Sequence, residues 1–327
     1  MRLKTKRDVV LLLTHSGDHF TVERVANALA RKGARPFRFD TDLFPAKLRL
    51  CSEFRVDEIS HKVRVRPKDL STDQVRAVWA RKIWRPRFAD DLDPAFRDMC
   101  ANESLAALEG FFDGLHGARW INQPTRERDA ENKLLQLRIA RLAGLKIPRT
   151  LVTNDPQSAS RFFAEVDGQM VAKLLRPVSM SMGPTSSFVF TSQVSSSDLS
   201  QASLLRHSPM VFQELIPKAR ELRVAFVAGR FFTGAINASA SALGQVDWRR
   251  ASVDEISWEP TEIPLGLARA LKRLMSKLGL AYGAIDLIQK PDGEFIFLEV
   301  NPSGEWGMLE RDLSYPISES IADALLE

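Results

Sequence analysis

The chain has 327 residues, of which 44% are hydrophobic and 27% charged, with a formal net charge of +5. That length exceeds the usual single core, so two or three domains are expected, and the composition excludes a disordered or fibrous chain. No apolar run is long enough to span a membrane, and two cysteines, Cys51 and Cys100, exclude a disulfide framework or a Cys-rich metal site; a protein of the reducing cytoplasm is expected.

The apolar run at residues 9–13 is followed at once by His15 and Asp18, so it reads as a buried first strand and not as a signal peptide. Val22, Val25, Ala26 and Leu29 then recur at helical spacing, Gly33 ends that helix, and residues 35–39 supply a second strand. This βαβ opening predicts an N-terminal α/β domain over 1–122. Its first loop has a single glycine, too few for a dinucleotide fingerprint. Val63 and Val65 alternate with Lys62, Arg64 and Arg66, as on a strand with one wet face. Nine Lys or Arg residues lie between Lys62 and Arg87 against Asp69 and Asp73, a field that attracts anions, although most such residues belong to solvated surface. Within it Trp84, Arg85 and Arg87 interleave an aromatic ring with guanidinium groups and are the candidates for a docking surface that takes nucleic acid, phosphate or an acidic peptide.

Residues 102–115 read as a helix with Leu108, Phe111, Phe112 and Leu115 on one face, and residues 129–143 as another, stopped by Gly144. The pattern to residue 205 predicts a second domain over 123–205, with a strand at 170–174. A third, over 206–327, holds strands at 210–213, 222–227 and 231–236, then a helix at 265–278. Two strands, 283–289 and 294–300, close it around an Asp292-Gly293 turn.

That last hairpin carries the strongest chemical signal. Alternation puts Glu299 and Asn301 on one face, and pairing can bring Asp286 opposite Glu299. Two carboxylates and an amide oxygen are hard donors suited to Mg²⁺. The competing reading is a structural acid pair neutralised by nearby arginine.

Gly283-(x)2-Asp286 followed by Leu298-Glu299-Val300-Asn301-Pro302 resembles the metal signature of ATP-grasp enzymes. Other matches fall in order. Glu131-Asn132-Lys133 resembles the helix start that brings the first nucleotide lysine, and Val171-Ala172-Lys173 the strand that brings the second. Gln213, Glu214, Leu215 and Ile216 resemble the segment whose backbone meets adenine. Glu221 resembles the ribose-binding acid and Arg223 the catalytic phosphate-side arginine. Arg249, in Asp247-Trp248-Arg249, resembles a further arginine of the peptide-ligase branch. The loop 176–187 departs from the family pattern in being poor in glycine.

Trp79-x4-Trp84-Arg85, Trp120-Ile121-Asn122, Leu145-x-Ile147-Pro148-x-Thr150 and Asn301-Pro302-x-Gly304-x-Trp306 extend the similarity to peptide macrocyclases of the microviridin, or graspetide, type. The resemblance implies an ATP-grasp fold of mixed α/β class with the nucleotide held between the central and C-terminal domains. It implies ATP and Mg²⁺ as cofactors, an acidic ribosomal precursor peptide as partner, a homodimer, and no nucleic acid or membrane. The implied reaction activates Asp or Glu side chains as acyl phosphates for attack by Thr, Ser or Lys. Ester and amide products both fit. A glutamate ligase or other carboxylate–amine ligase shares the ATP half, and a nucleic-acid- or peptide-binding module built on the basic segment is the non-enzymatic alternative. No G-x4-G-K-[ST] occurs, which disfavours a P-loop kinase.

Overall fold

The computed structural model describes residues 7–65, 68–175, 191–237 and 257–327, with the backbone alone at Lys68 and Asn237. The chain divides into two compact units. One holds the residues up to Thr125 with Glu305–Glu310 and Pro316–Glu327; the other holds Arg126–Gly304 with Arg311–Tyr315.

In the first unit, β1 (Val9–Thr14) is buried at every position, as a central parallel strand covered on both faces must be. It pairs in parallel with β2 (Arg35–Asp40) on one side. After α1 (Phe20–Arg31), β3 (Arg49–Phe54), β4 (Ile59–Val65) and β5 (Lys68–Ser71), the chain returns as β6 (Val75–Ala80) on the other side of β1. Helix α2 (Arg97–Asp113) begins about one turn before the apolar spacing predicts and leads to β7 (Arg119–Ile121), so the parallel sheet has the order β2-β1-β6-β7. Strands β3, β4 and β5 form a separate antiparallel sheet, and β4 buries His61 and Val63 between exposed Lys62 and Arg64.

In the second unit, one helix was expected over 129–143, but two occur: α3 (Pro124–Ala130) and α4 (Lys133–Leu142). The break has a local cause. Asn132 is extended, with φ −70° and ψ 100°, and its side-chain oxygen accepts from the N–H groups of Leu134 and Leu135, so it caps a new helix instead of continuing the old one. Next come β8 (Thr150–Thr153), α5 (Pro156–Glu165), β9 (Met170–Lys173), β10 (Ser192–Gln193), α6 (Ser196–Leu199) and β11 (Met210–Glu214). These strands make an antiparallel sheet of order β10-β9-β11-β8, packed through Ala159, Phe162, Met170 and Phe212.

The other sheet of this unit is built from β12 (Arg220–Val227), β13 (Arg230–Asn237), β14 (Glu259–Pro260), β15 (Tyr282–Gln289) and β16 (Phe295–Asn301), in the order β14-β13-β12-β15-β16. Helix α7 (Leu265–Leu278) has the bounds its periodicity predicts and ends at Gly279, whose φ of 68° suits the left-handed cap. Its Leu271, Leu274 and Met275 pack with Leu222, Val224, Ile285, Leu287, Phe297 and Val300 in one core. One face of the sheet is thereby apolar and covered, and the other is left for chemistry. Helices α8 (Gly307–Leu313) and α9 (Ile317–Leu326) end the chain. No helix among the described residues is long and apolar enough to cross a membrane.

Gly304 sits where the chain leaves this sheet, and its carbonyl accepts from the Tyr282 hydroxyl at 2.7 Å. A Cβ there would lie 2.5 Å from that of Ala284 and 3.1 Å from that of Asn301. Gly304→Ala is therefore expected to destabilise the fold by about 1–3 kcal/mol, the usual range for overpacking, as read from a denaturant melt, and to displace Asn301.

Candidate active site

The candidate residues of the second unit lie on the face of the β12–β15–β16 sheet opposite its α7-packed core. Cross-strand pairing sets Arg223 opposite Asp286, Asp286 opposite Glu299, and Ala284 opposite Asn301. Directly opposed residues share a face, so Glu221, Arg223, Asp286, Glu299 and Asn301 project together. The β15–β16 register shifts beside Asp286 and passes over Leu298. This bulge resets the alternation of β16, so that Ile296 and Glu299 both leave on the site face while Phe297 and Val300 enter the core.

Lys173, Gln213, Glu214, Leu215, Ile216 and Glu221 line a single narrow cleft. Val171, Ile288 and Leu298 add apolar walls, and Thr191 and Lys218 add polar ones. Ile216 also packs with Ile288, Ile296 and Leu298 in a small apolar cluster, a surface suited to a flat aromatic base. The local hydrogen bonds fix the walls. Leu215 N–H donates to the Gln169 carbonyl at 2.8 Å, and the Gln213 amide donates to Thr150 Oγ1 at 3.1 Å.

Cations and acids alternate at the sheet end of this cleft. Arg223 donates to Asp286 Oδ1 at 2.6 Å, and Lys133 Nζ lies 3.1 Å from Glu299 Oε2 while donating to the Leu174 carbonyl at 3.2 Å. Lys218 is ion-paired with Glu221, both side chains nearly buried. A nucleotide phosphate group and a divalent cation present the complementary charges, so the same groups can exchange partners when both are bound. Among the described residues no three His, Cys, Asp or Glu side chains converge; Asp286 and Glu299 supply two, and the Asn301 amide the third oxygen. Asn301 Oδ1 already accepts from Ser303 N–H at 3.1 Å, which orients it. This all-oxygen set fits Mg²⁺.

Trp84, Arg85 and Arg87 belong to the first unit, apart from the nucleotide candidates in the second. The Trp84 ring is covered by His15, stacked at 3.6 Å and 3° between planes, and the backbone N–H of Trp84 donates to Thr41 Oγ1 at 2.9 Å. Burial lowers the His15 pKa, partly opposed by Asp18, so the stacked ring is neutral at pH 7. Arg87 pairs with the buried Asp42 at 3.1 Å. Arg85 is the most open of the three, 3.5 Å from an exposed Asp98. Among the described residues of the basic segment around them, Arg64 binds Asp69, and Arg81 and Lys82 both bind Glu305.

Burial pushes the Glu305 carboxyl up, but Arg81 and Lys82 outweigh it and hold the group at about 2 against an ordinary 4.5. A depressed folded-state value contributes stability that is complete above the unfolded value and is lost as pH falls through the folded one. Wild-type protein should accordingly lose melting temperature between about pH 5 and pH 3 more steeply than Glu305→Gln, as thermal melts across that range will read.

Arg249 and the loop 176–187 lie outside the described residues, so their assignments stand on sequence alone. Two residues escaped the sequence reading. Lys218 lines the cleft three positions before Glu221, and Gln136 joins α4 to β16 by two hydrogen bonds and to the end of α3 by a third. The only sequence signal for the second was a polar residue among the buried positions of an apolar helix.

Comparison with known proteins agrees with this geometry. Residues 9–128 match the family model of the MvdD pre-ATP-grasp domain. The macrocyclase MdnB from Microcystis aeruginosa MRC is 46% identical, with 98% of this chain and 99% of that one covered and a TM-score of 0.84. MdnC from the same organism, solved with the precursor peptide MdnA, is 33% identical over 97% and 99% of the chains, with a TM-score of 0.87. A RiPP-associated ATP-grasp ligase from Chryseobacterium gregarium, solved with ADP and a leader and core peptide, is 30% identical over 98% and 96%, with a TM-score of 0.91. No curated protein matches the sequence. The fold and these relatives define an ATP-grasp ligase. The chain belongs to the ATP-grasp macrocyclases of the microviridin, or graspetide, type.

Proposed function

We propose that this protein uses Mg·ATP to close side-chain rings in a ribosomally made, acidic precursor peptide, acting in the cytoplasm as a homodimer. An Asp or Glu side-chain carboxylate of the peptide attacks the γ-phosphorus of ATP, forming an acyl phosphate as ADP leaves. A Thr or Ser hydroxyl, or a Lys amine, of the same peptide then attacks the acyl carbon. Phosphate departs with the carbonyl–oxygen bond, the nucleophile's proton is released, and an ester or amide ring remains. A bare carboxylate cannot do this, since its leaving group would be oxide; activation is what ATP provides.

The observation that carries the reading is the gathering of Lys173, residues 213–216 and Glu221 in one cleft, beside a face on which Arg223 and Lys133 meet Asp286 and Glu299. The apolar cluster at Ile216 and Leu298 would take the base, Glu221 the ribose, and Lys133, Lys173 and Arg223 the phosphates. Asp286, Glu299 and Asn301 would hold Mg²⁺, which when bound offsets charge on the phosphate oxygens. Arg249 would add a second arginine on the phosphate side. Arg85, exposed beside Trp84 and Arg87, would meet acidic residues of the peptide at the protein's rim. The relatives solved with precursor, leader or core peptides support a peptide partner.

The test is to incubate the enzyme with ATP, Mg²⁺ and the precursor peptide encoded beside its gene, then to follow ADP release and peptide mass. Loss of one water per ring, with one ADP for each, is the expected result. Mild alkaline hydrolysis then separates ester from amide. ADP release driven by free amino acids in place of the peptide would instead make the protein a carboxylate–amine ligase.

A further inference from the structure

Gln136 is almost fully buried on α4, one turn after Lys133. A buried primary amide needs partners for both its oxygen and its N–H groups. Gln136 finds them on backbone alone. Its Nε2 donates to the carbonyls of Ala130 at 2.6 Å and Val300 at 2.7 Å, and its Oε1 accepts from Val300 N–H at 2.8 Å. The side chain thus meets Val300 as a neighbouring strand would, through both of that residue's backbone groups.

The location gives this clamp its meaning. β16 is the edge strand of its sheet, and Val300 stands between Glu299 and Asn301. Without Gln136, the outward N–H and C=O of Val300 would be buried and unpaired, a state that folded proteins avoid. The same amide holds the carbonyl of Ala130, the last residue of α3, at the break where α4 begins. Lys133 reaches Glu299 from the same helix, because residues three apart share a face. One helix therefore touches the strand twice, through a charge at Glu299 and through a hydrogen-bonded amide at Val300.

We propose that Gln136 is a positioning residue that holds the donors Glu299 and Asn301 in register with the ammonium of Lys133, so that the metal and phosphate sites form one rigid constellation before either ligand arrives. The proposal rests on the Mg·ATP reading of those residues. Gln136 touches neither ligand itself. It acts through the backbone between two of the three oxygen donors, and outer-shell contacts of this kind are commonly worth about 10–100-fold in metal affinity.

The experiment measures ADP binding by calorimetry on the full chain as a function of Mg²⁺, in wild type and in Gln136→Met, which keeps the volume and removes the hydrogen bonds. The variant should need roughly 10–100-fold more Mg²⁺ to reach half of the metal-dependent gain in ADP affinity. Its ADP affinity in EDTA should stay within about threefold of wild type, since Gln136 lies beside the edge of the strand and does not line the cleft. A variant that only melts earlier, with its Mg²⁺ requirement unchanged, overturns the proposal and leaves a purely structural residue. A wild type whose ADP affinity ignores Mg²⁺ overturns the metal reading, and the proposal with it. Hydrogen exchange in wild type gives a second measurement that survives a variant too unstable to assay. The Val300 amide should be protected like the central strands in ligand-free protein, with little further gain from Mg·ADP; protection that arises only with Mg·ADP would mean that the ligand, and not Gln136, orders the strand.

Discussion

Glu299→Gln is expected to lower ATP-dependent ring formation by at least about 10³-fold, equivalent to about 4 kcal/mol of barrier. The substitution keeps the shape of the side chain and one oxygen donor but removes the charge that a divalent cation requires. It also releases Lys133, which lies 3.1 Å from Glu299. Stability should change little, because the Glu299 side chain is partly exposed on an edge strand and its replacement opens no core cavity. A melting temperature within about 3 °C of wild type is expected for such a position. Peptide mass and ADP release, measured on protein of confirmed fold, read the effect. Near-normal turnover would sink the metal assignment, and with it the claim that Asp286, Glu299 and Asn301 act together.

Arg223→Ala is expected to reduce kcat by about 10²–10³-fold while leaving precursor-peptide affinity within about threefold. Arg223 is buried, and its guanidinium donates to Asp286 at 2.6 Å on the face that also carries Glu221 and Glu299. Charge that builds on the transferring phosphoryl group as the acyl phosphate forms is where a fixed guanidinium contributes most. Removing it leaves Asp286, only 13% exposed at the side chain, without that partner. The variant should therefore melt lower than wild type in EDTA, and Mg·ADP should restore more stability to it than to wild type. If peptide affinity falls and single-turnover chemistry does not, Arg223 serves recognition instead.

These two effects follow from different kinds of information. Glu299 was visible because a seven-residue strand with a turn before it carries its own alternation, and the acid interrupts an apolar run. Arg223 was visible through the strand it shares with Glu221. Neither sequence segment states that Arg223 and Asp286 bond one another, since that depends on which strands pair and in what register. The same holds for Lys133 and Glu299, brought together by the packing of a helix against an edge strand.

The peptide-docking candidates show the opposite case. Trp84, Arg85 and Arg87 look alike in sequence as an aromatic flanked by cations. In the fold, His15 covers the ring, Asp42 neutralises Arg87, and Arg85 alone stays open beside an exposed acid. A run of charge records composition, whereas the availability of each charge depends on acids that come from elsewhere in the chain, as Glu305 does for Arg81 and Lys82.

By itself the sequence determined the βαβ opening, the bounds of α7, the terminal hairpin and the donors on it, because periodicity and turn residues are local and report which face is buried. Tertiary packing alone set the bulge at Leu298, the place of Lys218 in the cleft and the clamp of Gln136 on Val300. Each of these satisfies or redirects a buried backbone or polar group. The partner that does so is separated along the chain, or is chosen by strand register, and no local pattern encodes it.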